Sequence, residues 1–292
     1  MTQLALGLIG AGNIGLAVAG RLVGLGHQLT VHDTNPAALE RATALGAAAA
    51  SLATLVRDSR LVLLSLPTPG VAAAVGHEVI AGGQPGLVIV DLSTNDPQTA
   101  RKLHAAAAAR ALAYIDAPVS GGPSRARTGE LTMMVGGDAA VVERIRPMLT
   151  DIARQVEYAG ESGSGATAKL LNNFVAIWGM IGVSQAFLAA AALGVSQQRM
   201  YEIMAKSSAR SYALDRNFPK IRDENYKPDF SIDLGEKDMR LAVQLMHDAG
   251  YDAFAQDQIR ALFTRAGEGA GGARDLAAIH LALSAMLTRD RH

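Results

Sequence analysis

The stretch Leu6-Gly7-Leu8-Ile9-Gly10-Ala11-Gly12-Asn13-Ile14-Gly15 decides how the first half of this chain folds. The apolar run that leads into the glycines is typical of a strand buried on both faces. After the glycines, apolar residues recur at helical spacing, at Leu16, Ala19, Leu22 and Val23. A strand, a Gly-x-Gly-x-x-Gly turn and a helix in this order predict a loop that binds the phosphates of a dinucleotide.

The positions of the glycines predict separate tasks within this loop. Gly10 permits the tight turn, Gly12 lets the backbone approach a pyrophosphate, and Gly15 allows the helix to pack closely on the strand. Asn13 and Ile14 complete the predicted cofactor-binding loop, whose free N–H groups lie at the positive end of the helix. The alternative is that the glycines form only a structural turn.

Asp33 is the predicted selector of the cofactor. It follows a second predicted strand, residues 28–31, and lies about 20 residues beyond the first glycine of the loop. A carboxylate at that place accepts hydrogen bonds from the adenosine ribose and repels a 2′-phosphate. Positions 34 and 35 hold no arginine, so NAD is favoured over NADP. The alternative is that Asp33 caps the helix before Pro36.

The hydrophobic pattern changes halfway along the chain. Apolar runs alternate with alanine-rich segments of helical spacing at residues 4–9, 28–31, 61–66, 87–90, 112–115 and 131–135. This alternation predicts a parallel sheet with helices on its faces. After the glycine- and serine-rich residues 160–165 the patterns are helical, over residues 166–193, 196–206, roughly 231–250 and on to 287. We therefore place the domain boundary at 160–165, with Ser164 as a candidate cap of the next helix.

Two further predicted strands end in polar turns, at residues 65–69 and 91–95. In open α/β sheets, ligands bind at the carboxyl ends of the strands. Leu66, Pro67 and Thr94 are therefore candidates for contact with the cofactor. Each turn could equally be an ordinary connection, because Ser, Thr, Pro and Asn suit turns.

Composition excludes several classes of function. Among 292 residues, 27 basic and 27 acidic side chains cancel, so no net field draws the chain to nucleic acid or an anionic membrane. The chain has no cysteine and no histidine pair at ligand spacing, so we predict no metal site. We predict no signal peptide, because the first apolar run has no basic region before it and no cleavage site. We also predict no membrane span, because the most apolar helix carries polar side chains. A cytoplasmic location fits these features.

Four motifs, in order and at family-like separations, are similar to those of the β-hydroxyacid dehydrogenase family, which includes 3-hydroxyisobutyrate dehydrogenase and tartronate semialdehyde reductase. They are Gly7–Gly15, Asp116–Gly122, Gly163–Asn173 and Lys237-Asp238. The resemblance covers nearly the whole chain. It implies an α/β fold: a Rossmann NAD(P)-binding domain (1–162) joined by a long helix to an all-helical substrate and dimerisation domain (163–292). It also implies a homodimer or homotetramer, and reversible NAD(P)-linked oxidation of a small 3-hydroxy acid.

The resemblance assigns substrate and catalytic roles to five residues of this chain. Ser120, Gly121 and Gly122 fall on the segment that holds the substrate carboxylate. Lys169 falls on the catalytic lysine, and Asn173 falls on an asparagine that helps to hold the substrate. Lys169 and Asn173 are four residues apart on a predicted helix, so their side chains share one face.

The resemblance also assigns residues to the nicotinamide end. Thr94 falls on a residue that helps to hold this end, Phe230 lies where an apolar residue flanks the ring, and Lys237 falls on a lysine close to cofactor or substrate. Residues 207–233, which include Arg216, are predicted to shape the substrate end of the cleft.

Lys169 can act as a base only when it is neutral for part of the time. A free lysine has a pKa of about 10.4, which must fall toward neutrality for efficient proton transfer. Burial at a domain cleft and a second cation, for which Lys237 is the candidate, would both lower it. The alternative is a surface lysine beside a solvated asparagine.

Several substrates and two other functions stay open. The candidate acids are 3-hydroxyisobutyrate, glycerate (with tartronate semialdehyde as product), L-serine and 3-hydroxypropionate. An imine reductase of the same architecture is one alternative, although such enzymes usually lack a lysine at position 169. The other alternative is a non-catalytic NAD-binding sensor.

Overall fold

The computed structural model describes residues 5–252 and 255–289. The chain divides into two compact units, with the boundary between Lys169 and Leu170. Leu4, at the start of the first predicted strand, lies outside the described residues. Each unit has its own hydrophobic core, and they are described in turn.

The first unit is built on one nine-stranded sheet. Its strands are β1 Leu6–Ile9, β2 Leu29–His32, β3 Ala48–Ala49, β4 Leu61–Leu64, β5 Val88–Asp91, β6 Ala113–Asp116, β7 Val119–Ser120, β8 Leu131–Gly136 and β9 Ala153–Gly160. Its helices are α1 Asn13–Gly24, α2 Pro36–Ala44, α3 Leu52–Asp58, α4 Pro69–Gly82, α5 Pro97–Ala108, α6 Gly122–Thr128 and α7 Ala139–Ile152.

Six of the strands form a parallel sheet in the order β3-β2-β1-β4-β5-β6. The chain leaves β1 toward β2 on one side and returns to β4 on the other. This reversal leaves a crevice at the carboxyl ends of β1 and β4, where ligands bind in open α/β sheets.

The sheet is not parallel throughout. β8 runs antiparallel to β6 and β7, and β9 then pairs parallel to β8. The apolar run 131–135 predicts the strand correctly but not its direction, because a buried strand has the same hydrophobic pattern in either direction. β3 and β7 are only two residues long, and β9 is mostly exposed, so none of the three produces an apolar run.

The two faces of the sheet carry separate hydrophobic clusters. Leu61 and Leu63 of β4 belong to one cluster, while Val62 and Leu64 belong to the other. Alternate residues of a strand point to opposite faces, and here helices cover both faces. This is why the central strands read as continuous apolar runs.

The second unit is helical. α8 Ser164–Ala192 begins in the first unit and continues into the second, and it is followed by α9 Gln197–Met204, α10 Tyr212–Arg222, α11 Ile232–Asp248, α12 Gln256–Ala266 and α13 Ile279–Arg289. A π-helical turn, Gly267–Gly271, and a 3₁₀ turn, Leu276–Ala278, precede α13. In the described part of this unit, the only strand-like pairing is an isolated bridge between Ser231 and Asp275.

Of the described helices, α8 alone is long and apolar enough to cross a membrane, with 29 residues and a mean hydropathy of 1.8. The core helix of a soluble protein passes the same test. Ile177, Ile181 and Phe187 of α8 lie in the core cluster of the second unit. Their packing supports the prediction of a core helix.

Candidate active site

The glycine loop between β1 and α1 is shaped by close backbone contacts. Gly10 has φ of +94°, which favours glycine, and its N–H donates to the carbonyl of His32 at 2.9 Å. A Cβ at Gly10 would collide with the carbonyl oxygen of Ser65, and a Cβ at Gly15 would collide with that of Gly10. Neither glycine can therefore carry a side chain without a backbone shift.

Gly12 differs from its two neighbours in the loop. A Cβ built there meets nothing within 4 Å, so the space beside this backbone is open. Gly12 is the N-cap of α1 and provides no side-chain cap, and Asn13 and Ile14 begin the helix. The open space and the helix N-terminus fit the pyrophosphate of a dinucleotide.

Asp33 ties the loop to the end of β2. Its Oδ2 accepts a hydrogen bond from the N–H of Ala11 at 2.6 Å, and its Oδ1 accepts from the N–H of Asn35 at 2.8 Å. The N-cap of α2 is Asn35, whose side chain accepts from the N–H of Ala37. Asp33 therefore stands beside the glycine loop, and the helix cap is a different residue.

The two polar turns after β4 and β5 are joined by a hydrogen bond. The N–H of Leu66 donates to Ser93 Oγ at 2.8 Å, and the Leu66 side chain lies near Gly10. Pro67 is exposed and Thr94 is half-buried. Both turns lie at the carboxyl edge of the parallel strands, the side of the sheet on which the glycine loop lies.

A buried carboxylate that the sequence analysis did not single out organises the second turn. Asp91 accepts hydrogen bonds from the N–H of Ser93 at 2.9 Å, from Asn95 Nδ2 at 2.7 Å and from the Tyr114 hydroxyl at 2.7 Å. Burial raises the pKa of Asp91, and the hydrogen bonds from Ser93 and Tyr114 oppose that rise. Burial and the adjacent Asp91 also raise the pKa of Tyr114 well above 10.0.

The predicted carboxylate-binding segment connects β7 with α6. Ser120 ends β7 with a half-buried side chain, and Gly121 and Gly122 follow with φ of +131° and +73°. A Cβ at Gly121 would lie 3.0 Å from Arg125 Cδ, whereas a Cβ at Gly122 would enter open space. Two consecutive residues with positive φ favour glycine at both positions. The open space beside Gly122 leaves the backbone there accessible to a ligand.

Lys169 lies in α8 and is buried, with 7% of its surface exposed. Lysines are seldom buried this far unless they have partners or a function. Lys169 is therefore a buried residue, whereas the alternative interpretation makes it a surface lysine.

Asn173, Lys237 and Asp238 form a buried polar cluster in the second unit. Asn173 Nδ2 donates to Asp238 Oδ2 at 2.6 Å. Lys237 Nζ lies 3.1 Å from Asp238 Oδ1 as an ion pair. Asp238 follows Lys237 in the fourth motif, and its sequence context predicts no role for it. The structure places it between two predicted site residues.

Phe230 lies in a loop held by a buried aspartate. Asp275 Oδ2 accepts from the N–H of Asp229 at 3.0 Å and from that of Phe230 at 3.4 Å, and lies 3.0 Å from Arg216 Nη2 and 3.3 Å from Lys220 Nζ. Burial alone would raise the pKa of Asp275, but Arg216 and the backbone N–H donors outweigh it, and the pKa lies below its usual value. The guanidinium of Arg216 is therefore paired with this structural carboxylate.

The predicted site residues divide between the two units. The first unit holds the glycine loop, Asp33, both polar turns, Ser120–Gly122 and Lys169, while the second holds Asn173, Phe230 and Lys237. The described residues contain no group of three or more His, Asp or Glu that could hold a metal ion.

Two family models match the chain. The first is described as the NAD binding domain of 6-phosphogluconate dehydrogenase and matches residues 5–160. The second is described as NAD-binding of NADP-dependent 3-hydroxyisobutyrate dehydrogenase and matches residues 163–283.

Individual relatives match over most of their length. The NAD-dependent L-serine dehydrogenase of Pseudomonas aeruginosa is 36% identical over 255 residues, which cover 83% of this chain and 84% of that protein. A probable 3-hydroxyisobutyrate dehydrogenase of Mycobacterium tuberculosis is 33% identical over 261 residues, covering 87% and 88%. A solved structure of Mycobacterium tuberculosis 3-hydroxyisobutyrate dehydrogenase with L-serine matches with a TM-score of 0.89 at 30% identity, covering 97% and 99%.

The likeness extends more weakly to an imine reductase. The structure of the Myxococcus stipitatus enzyme matches with a TM-score of 0.65 at 20% identity, covering 97% of this chain and all of that one (100%). At this level of identity the match shows a shared fold.

Proposed function

The chain belongs to the β-hydroxyacid dehydrogenase family, and on that premise we propose that Lys169 is the general acid and base of its NAD-dependent oxidation of a 3-hydroxy acid. The observation that carries the proposal is the burial of this lysine, which is 7% exposed at the position of the family's catalytic lysine. The bound nicotinamide supplies the two-electron acceptor. Lys169 Nζ takes the proton from the substrate hydroxyl, and returns it in the reverse direction.

Other residues hold and orient the ligands in this proposal. Ser120, Gly121 and Gly122 bind the substrate carboxylate with a hydroxyl and bared backbone N–H groups. Asn173, fixed by Asp238, helps to hold the substrate. The remaining predicted residues, which bind the cofactor, are Gly10, Gly12, Asn13, Ile14, Gly15, Asp33, Leu66, Pro67, Thr94, Phe230 and Lys237.

We propose L-serine and 3-hydroxyisobutyrate as the first substrates to test, because the relatives above are named for dehydrogenation of these acids. Glycerate and 3-hydroxypropionate complete the panel. All four carry a carboxylate and a hydroxyl on C3, which is the carbon that the reaction oxidises. We further propose that NAD is preferred over NADP. The half-buried Asp33 carboxylate accepts a hydrogen bond from the glycine loop, which supports this preference, because a carboxylate beside such a loop repels a 2′-phosphate.

The test is a spectrophotometric assay of nicotinamide reduction with the purified chain. Each acid is run with NAD and separately with NADP, beside the Lys169→Ala variant. Selective reduction of NAD with one acid, lost in the variant, supports the reaction, the cofactor and the base together. Faster reduction of NADP would contradict the proposed role of Asp33, but it would not affect the proposal that Lys169 is the base.

The same assay separates the alternatives. Reduction of cyclic imines at the expense of the hydroxy acids would favour the imine reductase whose fold the chain shares. Saturable NAD binding without turnover on either panel would favour a sensor. Turnover that survives in Lys169→Ala would remove this lysine from the mechanism.

We propose that the chain forms a homodimer or homotetramer in the cytoplasm, with residues 163–292 as the substrate and dimerisation domain. Exposed apolar side chains on α8 and directly after it support association, since Val175 of α8 is 70% exposed and Leu193, the residue after the helix, is 82% exposed. Light scattering coupled to size-exclusion chromatography measures the mass directly. A monomer at micromolar concentration would contradict the proposal.

A further inference from the structure

The N-terminus of α8 is held by a carboxylate from a distant strand. Asp116 ends β6, and its Oδ1 accepts a hydrogen bond from the N–H of Gly163 at 2.8 Å. Its Oδ2 accepts from the N–H of Ala166 at 2.9 Å. The donors lie 47 and 50 residues further along the chain. One carboxylate oxygen of Asp116 therefore accepts from the residue before α8 and the other from the first turn of α8, the helix that carries Lys169.

This arrangement differs from the other capped helices of the first unit. Those helices use the side chain of the residue directly before them; the caps are Asn35 for α2, Ser51 for α3, Thr68 for α4, Asp96 for α5 and Asp138 for α7. A local cap stabilises a helix but leaves its position to packing. A cap from another strand also fixes where the helix begins relative to that strand.

Two glycines bring the carboxylate and the helix into contact. A Cβ at Gly165 would collide with the carbonyl oxygen of Met134 and lie 2.6 Å from that of Asp116. A Cβ at Gly136 would lie 2.7 Å from Asp116 Oδ2 and 2.7 Å from the nitrogen of Gly165. The start of α8 thus packs so closely on the ends of β6 and β8 that a methyl group does not fit at Gly136 or Gly165.

Asp116 is 2% exposed, and burial raises its pKa, while the N–H groups of Gly163 and Ala166 oppose that rise. A buried carboxylate gains most from charge-assisted hydrogen bonds and from the positive end of a helix. The interaction therefore resists a shift of the helix along its axis. Lys169 lies three residues beyond Ala166, and Ser120 lies four residues beyond Asp116.

We propose that Asp116 is a positioning residue that fixes Lys169 relative to the carboxylate-binding segment that begins at Ser120. The proposal rests on the proposed function, in which Lys169 is the base. Asp116 ends β6 four residues before Ser120, and its carboxylate holds the start of the helix that carries Lys169. Loss of its anionic oxygens lets the first turn of α8 relax and displaces the base from the hydroxyl it must reach.

The experiment compares Asp116→Asn and Asp116→Ser with a matched control, Asp138→Asn. Asp138 caps α7 through the N–H groups of Ala140 and Val141 at 2.8 and 3.1 Å, and α7 carries no predicted site residue. Activity is expressed per NADH-binding site, counted by fluorescence titration, so that partial unfolding does not count as lost catalysis. KM for the acid and Kd for NADH are measured alongside.

We expect kcat per site to fall about 10- to 100-fold in Asp116→Asn, because displacement of a catalytic group by about 1 Å has that scale of effect. Asp116→Ser should lose at least as much, because its shorter side chain reaches neither N–H. Kd for NADH should stay within about twofold, KM should change less than kcat, and Asp138→Asn should keep the wild-type kcat per site.

Other outcomes would overturn the proposal. If kcat per site is unchanged, or if neither Asp116 variant yields folded protein, Asp116 is only a structural cap. A fall of the same size in Asp138→Asn would show that loss of any cap has this effect. If the wild-type chain turns over no hydroxy acid, the proposed function fails first, and the positioning role fails with it.

Discussion

The glycine loop and the start of α8 are both helix N-termini in the first unit, but they are built in opposite ways. The loop between β1 and α1 takes its shape from close contacts among Gly10, Gly15 and the neighbouring turn at Ser65. The start of α8 takes its position from Asp116, almost 50 residues earlier in the chain. The N-terminus of α1 has open space beside Gly12 and can bind a phosphate. The N-terminus of α8 already binds the buried carboxylate of Asp116, which fixes its position.

The comparison also separates two kinds of site. The cofactor half is largely local, because strand, turn and helix follow one another within a few residues. The polar groups around the proposed base and substrate residues are held by long-range contacts: Asp116 with Ala166, and Asp238 with Asn173 across 65 residues. Changes in the local region should therefore affect cofactor binding, and changes in the long-range contacts should affect turnover.

The largest effect should come from Lys169→Ala. Loss of the proposed base should lower kcat by about 10³- to 10⁴-fold, which is the upper range for general acid–base catalysis. NAD binding should be nearly unchanged, because the glycine loop does not include this residue. Stopped-flow turnover and fluorescence titration of NADH measure the two quantities separately. Equal losses in NADH binding and in kcat would contradict the separation between cofactor binding and turnover.

A pair of glycine substitutions tests the local region. Gly15→Ala should destabilise the fold by about 1–3 kcal/mol, because its Cβ meets the carbonyl oxygen of Gly10. Gly12→Ala should leave the unfolding free energy nearly unchanged, because its Cβ enters open space, yet it should weaken NAD binding. Urea unfolding with and without NAD measures both. Equal destabilisation by the two substitutions would contradict the assigned roles.

Asp238→Asn tests the polar cluster of the second unit. The substitution keeps the size of the side chain but removes the anion beside Lys237 and weakens the hydrogen bond from Asn173. We expect kcat/KM for the hydroxy acid to fall about 10- to 30-fold, the scale of a hydrogen bond to a charged group. Kd for NADH should stay close to wild type. An unchanged kcat/KM would remove the cluster from substrate binding.

The smallest effect should be a change in the pH dependence of stability at Asp275. Arg216 and the backbone donors keep its pKa below the usual value in the folded chain. The stability that this carboxylate contributes is therefore present above its unfolded pKa of about 4 and is lost as pH falls through the lower folded pKa.

The matching measurement is urea unfolding of the wild type and Asp275→Asn between pH 7 and pH 3. The variant should be less stable at pH 7, and its stability should fall less steeply with acid. The difference in slope should be no more than about 1.4 kcal/mol per pH unit, the value for one proton. Parallel pH profiles would show that Asp275 does not titrate in this way.

Much of the first unit could be predicted because its signals are short-range. The apolar runs predict six strands of the sheet, and the glycines of the loop lie where the Gly-x-Gly-x-x-Gly pattern puts them. The sequence does not indicate the direction of β8, the two-residue strands β3 and β7, or the exposed strand β9. α10 was also missed, since Pro219 and its polar residues obscure the helical pattern between 212 and 222.

The buried carboxylates show the limit of reading a sequence. Asp116 and Asp238 lie within the quoted motifs, Asp91 begins a polar turn and Asp275 lies outside all of these stretches, but nothing local distinguishes any of the four from exposed aspartates. Asn35 and Ser51 could be recognised as caps, because a cap bonds to an N–H two or three residues away. The partners of the four aspartates include residues on other elements, so their roles depend on which elements the fold brings together.

The sequence by itself determined the two-part organisation and the dinucleotide-binding loop, because these depend on residue patterns along single strands, turns and helices. The family and the candidate lysine followed from the resemblance of four motifs. Only the tertiary structure decided what caps α8. Ser164 is the cap that the sequence predicts, but it is the first residue of the helix, and the N–H groups of Gly163 and Ala166 donate to Asp116. The physical reason is desolvation. A buried N–H or carboxylate must find a partner wherever the chain provides one, and that choice is made in three dimensions.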